Sequence, residues 1–462
     1  MAMNGCPLCL EKQREIDRLR EEVERLKSKL RYQERRAEEG FFGSSTPSSK
    51  VPIKSNTASA KERKPRGAKA GHAGVGRKRF DEETADKALE VGPVVDEVCP
   101  DCGGPLESHG VKCRSIIECQ PIKAARVRAR LHQKRCTRCK KVFTPRVPGV
   151  MPHSLYGNQL VVNAAVMHYL HGIPMGRVCE QLGVLPGSLV DIFHRLAGLF
   201  EGIPDRLIDE YRASPVKHAD ETGWRTDGKN GYAWLFATER LSIFQFKKTR
   251  SGEVARAVFG KDPLPGTLVV DRYAGYNKVP CAIQYCYAHL IRDTEDLEKE
   301  FPGDPEIIAF VDTMTSLLTL AIRLRNQPIS DAQFFKRAEK IKQMIVTAVE
   351  SPAQHPGIRD IQTIFRKNAG RMYQWAADRR VPADNNLAER DLRPTVIARK
   401  VSFGSQSDAG AKTRGVLMTV LTTLKKRGVN VAVHLKTVLD DLALDMDADP
   451  YPRLFATTGP PG

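Results

Sequence analysis

Residues 216–248 read VKHADETGWRTDGKNGYAWLFATERLSIFQFKK. Three short apolar or alternating runs, VKHAD, GYAWLFAT and LSIFQFKK, are separated by Gly, Asn and charged turns. Runs of this length with β-branched and aromatic residues predict an antiparallel strand series. Working outward, SGEVARAVFG (251–260) predicts a helix, GTLVVD (266–271) a strand and IQYCYAH (283–289) a further strand.

Three strands, a helix and a strand is the order of a ribonuclease H-like core. The expected fold class is therefore multidomain α/β with a mixed-sheet catalytic core. Two acids stand where such a core needs them. Asp220 is expected to end the first strand, in HADETGW, and Asp271 ends LVVD and opens DRYAGY. One acid at a strand end is usually a turn residue; two from neighbouring central strands point to shared chemistry. A third comes late, where NNLAERDLRP puts Glu389 on a helix opened by Asp384, Asn385 and Asn386. Three carboxylates suit two Mg(II) ions, or Mn(II), which take hard oxygen ligands and keep waters for substrate. Glu221 should face the other side of its strand, and Asp391, two residues after Glu389, should face away from it. Arg390 and Arg393 fit either phosphate contacts or helix-holding salt bridges. In CYAH, Cys286 and His289 form a pair that can join a second metal site; in the other reading His289 and Arg292 buttress the acids or touch DNA.

HADETGWRTDGKNGYAWLF, VVDRYAGY, CYAHLIRD and NNLAERDLRP together resemble the insertion-sequence 66 family of bacterial transposases, DDE enzymes on a ribonuclease H-like fold. The resemblance runs over nearly the whole chain, to a C-terminal segment beginning SFGSQSDAGAKTRG, and departs from the family at GVNVAVHL, where a Pro/Tyr-containing segment is expected. It implies that Asp220, Asp271 and Glu389 are the catalytic acids and that the reaction is metal-dependent cleavage at element ends followed by strand transfer. It implies as partners DNA, both element ends and target, and small accessory proteins encoded by the same element. Glu389 lies 118 positions beyond Asp271, so residues 301–382 must be an insertion. Two long amphipathic helices are expected there, in IIAFVDTMTSLLTLAIRLR and DAQFFKRAEKIKQMIVTAVE, either clamping DNA or only packing.

The rest of the chain is organised around DNA. With 73 Lys and Arg against 55 Asp and Glu, the formal net charge of +18 favours a polyanionic partner. No run of eighteen apolar residues and no apolar signal core are present, which argues against a membrane span and secretion and for a cytoplasmic, nucleoid-associated protein. Residues 1–39 hold the CPLC knuckle (Cys6, Cys9) and a heptad seam of Ile16, Leu19, Val23, Leu26 and Leu30, which fits a dimerising coiled coil or a helix docked on its own protein. A homodimer or higher oligomer is expected. Residues 40–93 are a basic linker in which Arg63, Lys64, Arg66, Arg77, Lys78 and Arg79 are candidate DNA contacts. Residues 94–149 carry Cys99 and Cys102, then Cys136 and Cys139, with an alternating, strand-like stretch through Val111, Ile116, Val127 and Leu131 between them. Two such knuckles make a closed four-thiolate site for one structural Zn(II); Cys113 and Cys119 are spare. Residues 150–211 are helical, with CEQLG (179–183) and a second helix over 187–198 fitting a helix-turn-helix or an ordinary helical hairpin. Residues 212–300 begin the core, 383–402 supply its acid-bearing helix, and 403–462 are expected to be a helical tail.

Overall fold

The computed structural model describes residues 124–455 continuously, together with 11, 12, 14–23, 25–27, 30, 102 and 105. The chain divides into two compact units, Ile53–Lys123 and the remainder, and only Cys102 and Pro105 of the first are described. Cys6, Cys9, Cys99, Cys113, Cys119 and the basic linker residues Arg63, Lys64, Arg66, Arg77, Lys78 and Arg79 lie outside the described residues.

The central sheet grows from one hairpin. β3 (Val216–Thr226) and β4 (Lys229–Ala237) pair antiparallel from His218–Ala237 to Thr226–Lys229. They are joined by Asp227-Gly228, both at positive φ, 53° and 69°. That two-residue turn matches strand twist, and Asp-Gly tolerates the left-handed conformation it demands. β5 (Ser242–Lys247) adds antiparallel to β4. A helix, α5 (Gly252–Phe259), then carries the chain to β6 (Thr267–Val270), which lies parallel to β3, and β7 (Ala282–Tyr285) lies parallel to β6. The order is β5-β4-β3-β6-β7, a mixed five-stranded sheet. β6 reads TLVV and is buried throughout, as a strand covered on both faces must be. Gly266, at φ 76°, opens β6 where a Cβ would stand 2.2 Å from the Pro215 carbonyl oxygen, so no other residue fits.

Before the sheet, β1 (Lys134–Arg135) and β2 (Val142–Phe143) form a small hairpin. Residues 124–133, part of the stretch read as strand, form no ladder, and Val127 is 86% exposed. Alternation makes a strand only where a second backbone satisfies its polar groups, and none does so here among the described residues. Helices α1 (Asn158–Ala165), α2 (Met175–Leu182), α3 (Pro186–Leu199) and α4 (Ile203–Ala213) follow. Gly183 closes α2 at φ 65°, and α2 and α3 meet at 105°.

After β7, α6 (Tyr287–Glu300), α7 (Pro305–Leu324) and α8 (Asp331–Glu350) pack in sequence, followed by α9 (Pro356–Lys367) and two short helical turns, Ala369–Met372 and Gln374–Ala377. The two expected long helices are α7 and α8; α9 has no counterpart among the sequence expectations, because its 12 residues are mostly polar and its apolar face, Ile358, Ile361, Ile364 and Phe365, is narrow. α7 is the one straight helix among the described residues long and apolar enough to cross a membrane. Its buried face, from Ile307 to Leu324, packs against α6 and α8.

The acid-bearing helix α10 (Asn386–Ser402) lies along β3, and α11 (Asp408–Lys426) lies along β5. α12 (Val431–Leu444), which begins within the divergent GVNVAVHL, packs on α1, with Asn158 Nδ2 donating to Asp440 at 2.8 Å. Residues 403–455 are thus part of the body rather than a trailing segment. α11 completes the sheet edge: the Phe244 and Ser242 N–H groups donate to Thr419 and Thr423 hydroxyls at 2.9 and 3.2 Å. Gly415 allows this approach, since a Cβ there would stand 3.0 Å from the Phe244 carbonyl oxygen.

Candidate active site

Asp220 does not end its strand: β3 runs six residues further, to Thr226. What ends near it is β6, whose pairing with β3 stops at His218–Val269. β6 itself stops at Val270, so Asp271 leaves the sheet beside Asp220. The strand end that matters belongs to the parallel neighbour, which a single-strand reading of HADETGW cannot show.

Glu389 joins them through a tether. The Asn385 side chain does not cap α10. Its Nδ2 donates to the Ala219 carbonyl oxygen at 2.9 Å, and its Oδ1 lies 2.8 Å from His218 Nδ1. Because Oδ1 can only accept, His218 carries its proton on Nδ1. The Asn385 N–H donates to Cys286 Sγ at 3.1 Å. One buried asparagine thus fastens the start of α10 to both β3 and the end of β7, and Glu389 follows one turn later. Sequence reasoning placed Asn385 only at the helix start; its side-chain role had no local signal.

The three acids share one electrostatic environment. Burial pushes the Asp220 carboxyl well above its ordinary range, and repulsion from Glu221, Asp271 and Glu389 pushes it further. Asp271 is raised by burial, opposed by the Tyr273 N–H, which donates to Oδ1 at 2.9 Å, and by Arg250 and Arg272. Glu389 is raised by burial and held back by Arg292, 3.3 Å away. Burying carboxyls together without matching cations is costly unless a proton or a metal neutralises them. The donor set, hard carboxylate oxygens, fits Mg(II) or Mn(II).

Glu221 is buried, and its carboxyl interacts electrostatically with both Asp220 and Asp271. Arg250 donates to it at 2.8 and 2.6 Å and the Tyr276 hydroxyl at 2.5 Å; burial still lifts its carboxyl to about 7. Asp391 faces away from Glu389, accepting from Ser242 Oγ at 2.7 Å and pairing with Lys426. Arg390 and Arg393 are exposed and make no hydrogen bond or ion pair with described residues, so the salt-bridge alternative is not realised there. His289 and Arg292 both reach Glu389: His289 Nδ1 lies 3.9 Å from its Oε1.

Around the second knuckle, the Cys139 N–H donates to Cys136 Sγ at 3.4 Å, which lowers the Cys136 thiol from its ordinary value. Cys102 and Cys139 are exposed.

Two relatives come from Sinorhizobium fredii (strain NBRC 101917 / NGR234). Uncharacterized protein y4qI is 25% identical over 331 residues, 62% of this chain and 59% of that protein, so the chain spans less than two thirds of it. Uncharacterized protein y4jD is 20% identical over 381 residues, 74% of each chain. The family described as "Transposase IS66 family" matches residues 153–413, a span that contains Asp220, Asp271, Asn385 and Glu389 and exceeds half of the sequence. The chain belongs to the transposase IS66 family.

Proposed function

We propose that this protein is a DNA transposase of the DDE type, built on a ribonuclease H-like core, that cleaves at the ends of its element and joins the freed ends to target DNA. What supports this reading is that Asp220, on β3, feels the charges of Asp271, which follows β6, and of Glu389, on α10, within a transposase family. Asp220, Asp271 and Glu389 would hold two Mg(II) or Mn(II) ions. Bound there, such ions would supply Lewis acidity that activates a water or 3′-hydroxyl and offsets charge on the leaving oxygen. The chain's own part is positioning. Asn385 fixes Glu389 against β3, Arg292 orients its carboxylate, and exposed Arg390 and Arg393 lie where a DNA phosphate can approach.

Cleavage attaches water oxygen to phosphorus as the P–O bond to the 3′-oxygen breaks, and the released 3′-oxygen takes up, by way of solvent, the proton that the water loses. Joining repeats the displacement with that hydroxyl as attacker and the target's 3′-oxygen as leaving group, the attacker's proton passing by way of solvent to the leaving oxygen. Positioning and charge neutralisation dominate such reactions. No covalent protein–DNA intermediate is needed. Element ends would be read by the N-terminal parts: the basic linker, one Zn(II) held by Cys99, Cys102, Cys136 and Cys139, and the α2–α3 pair, whose 105° crossing suits a helix-turn-helix. A dimer or higher oligomer would bring two ends together, with small accessory proteins of the element as further partners.

The test uses wild type and Glu389→Gln, a labelled duplex carrying the element's end, and Mg(II) or Mn(II). The expected result is metal-dependent nicking and joining that the variant loses while it still binds DNA. Wild-type cleavage by Glu389→Gln removes the triad. Nicking without joining in the wild type leaves a nuclease, and a denaturant-stable protein–DNA adduct overturns the direct mechanism.

A further inference from the structure

Beside the three acids lies a second group of ligand atoms with different chemistry. Cys286 Sγ, His289 Nδ1 and a Glu389 carboxylate oxygen lie within 4.8 Å of one another. Cys286 precedes α6 and His289 sits on its first turn, so one helix start presents both; Glu389 comes from α10. Tertiary packing brings the acid-bearing helix to the pair. His289 Nδ1 is buried and has no hydrogen-bond partner, although Glu389 is its neighbour at 3.9 Å. A buried imidazole nitrogen left unpaired is costly, and a metal ion is one group that satisfies it.

We propose that Cys286, His289 and Glu389 form a binding site for a thiophilic divalent cation of the Zn(II) class, distinct in ligand chemistry from the all-carboxylate site and sharing Glu389 with it. Sulfur, nitrogen and oxygen donors select Zn(II) or Co(II) over Mg(II). Three protein ligands leave a fourth position for water. Around a tetrahedral ion with bonds of about 2.0–2.3 Å the ligand atoms stand roughly 3.5 Å apart, so the group must contract by about 1 Å. Glu389 is part-exposed, and rotation about its side-chain bonds can close that gap. Binding replaces the Cys286 thiol proton, which goes to solvent. Because Glu389 belongs to both sets, a cation here withdraws it from the carboxylate site. That consequence rests on the proposed triad; the binding itself does not.

The experiment titrates Co(II) into metal-free, reduced full-length protein without DNA and follows sulfur-to-cobalt charge-transfer and ligand-field absorption. Variants are His289→Ala, Cys286→Ser and, to remove the knuckle site independently, Cys136→Ser. Wild type should bind one more equivalent than His289→Ala or Cys286→Ser, and Cys136→Ser should keep that equivalent, with the band pattern of one sulfur ligand. Equal stoichiometry and spectra in wild type, His289→Ala and Cys286→Ser, with matching circular dichroism, overturns the site. Should a variant misfold, Glu389→Gln provides a second measurement: weakening of the same equivalent supports the site, and an unaltered titration counts against it. In a parallel assay, Mg(II)-dependent nicking by wild type should fall in proportion to the added Zn(II) that this equivalent takes up. Absence of nicking in every protein would strike the triad reading and leave the spectroscopic result standing.

Discussion

The side chain and N–H of Asn385 make three bonds to their surroundings, while its carbonyl oxygen accepts from the Glu389 N–H at 3.2 Å, and the placement of Glu389 depends on this anchoring. Asn385→Ala leaves a His218 N–H and the Ala219 carbonyl buried without partners, at about 1–3 kcal/mol. Because Glu389 would shift with the helix start, metal-dependent cleavage should fall about 100-fold. Thermal unfolding and single-turnover nicking measure the two losses separately, and wild-type nicking by this variant would deny Asn385 a positioning role. His168 offers a pH test away from the acids. Its Nδ1 lies 2.8 Å from the Ile173 carbonyl oxygen and its Nε2 2.9 Å from the buried Arg414 guanidinium. Burial, then Arg414, lowers its pKa from 6.5 to about 4. A depressed base stays neutral when folded but takes a proton when unfolded, so its contribution is present above pH 6.5 and is lost as pH falls toward 4. The full effect is about 3 kcal/mol. His168→Gln, which keeps an acceptor for Arg414, should flatten the loss of stability between those pH values; unchanged denaturation curves would remove this residue as the cause.

At the scale of elements, α11 is what allows β5 to be an edge. An exposed strand edge offers unpaired N–H groups to other chains, and a covering helix removes them. Here the cover is chemical as well as steric, because Thr419 and Thr423 accept from the edge N–H groups of Phe244 and Ser242. Thr419→Val keeps the shape and deletes the acceptor, so the Phe244 N–H is left buried and unpaired. The expected cost is about 1–3 kcal/mol, seen as a lower denaturant midpoint with unchanged slope. A midpoint equal to that of wild type would mean that steric cover alone protects the edge. The same helix packs on α3 and on the π-turn Val166–Leu170, so loss of α11 contacts should loosen residues 158–199 as well.

For the whole molecule, the open question is how copies meet. Ile16, Leu19, Val23, Leu26 and Leu30 lie exposed on a helix whose other described residues are charged or polar. A narrow apolar seam of this kind gains stability by pairing. Replacing Leu19 and Leu26 together with Lys should shift the protein to monomer in sedimentation equilibrium and abolish joint capture of two labelled ends, while leaving the fold of residues 158–455 intact by circular dichroism. An unchanged oligomer would place the dimer contacts elsewhere in the chain.

The order of strands and helix along the chain was legible because its causes are local. Asp227-Gly228 dictates a tight hairpin, TLVV has no polar face and must be covered on both sides, and the acids stand in long ordered motifs. Asp271 could be placed from its own strand. Asp220 could not: its position is set by where the parallel partner stops, a property of pairing between segments about fifty residues apart. The tether of Asn385, the juxtaposition of Glu389 with Cys286, and the sealing of β5 by α11 were equally invisible. Each is a contact between polar groups far apart in the chain, and polar side chains carry no periodicity that announces a partner. What the sequence determined alone was the identity of the elements and of the reactive side chains; which of those side chains meet was decided by packing, because only burial makes an unpaired polar group costly enough to choose its partner.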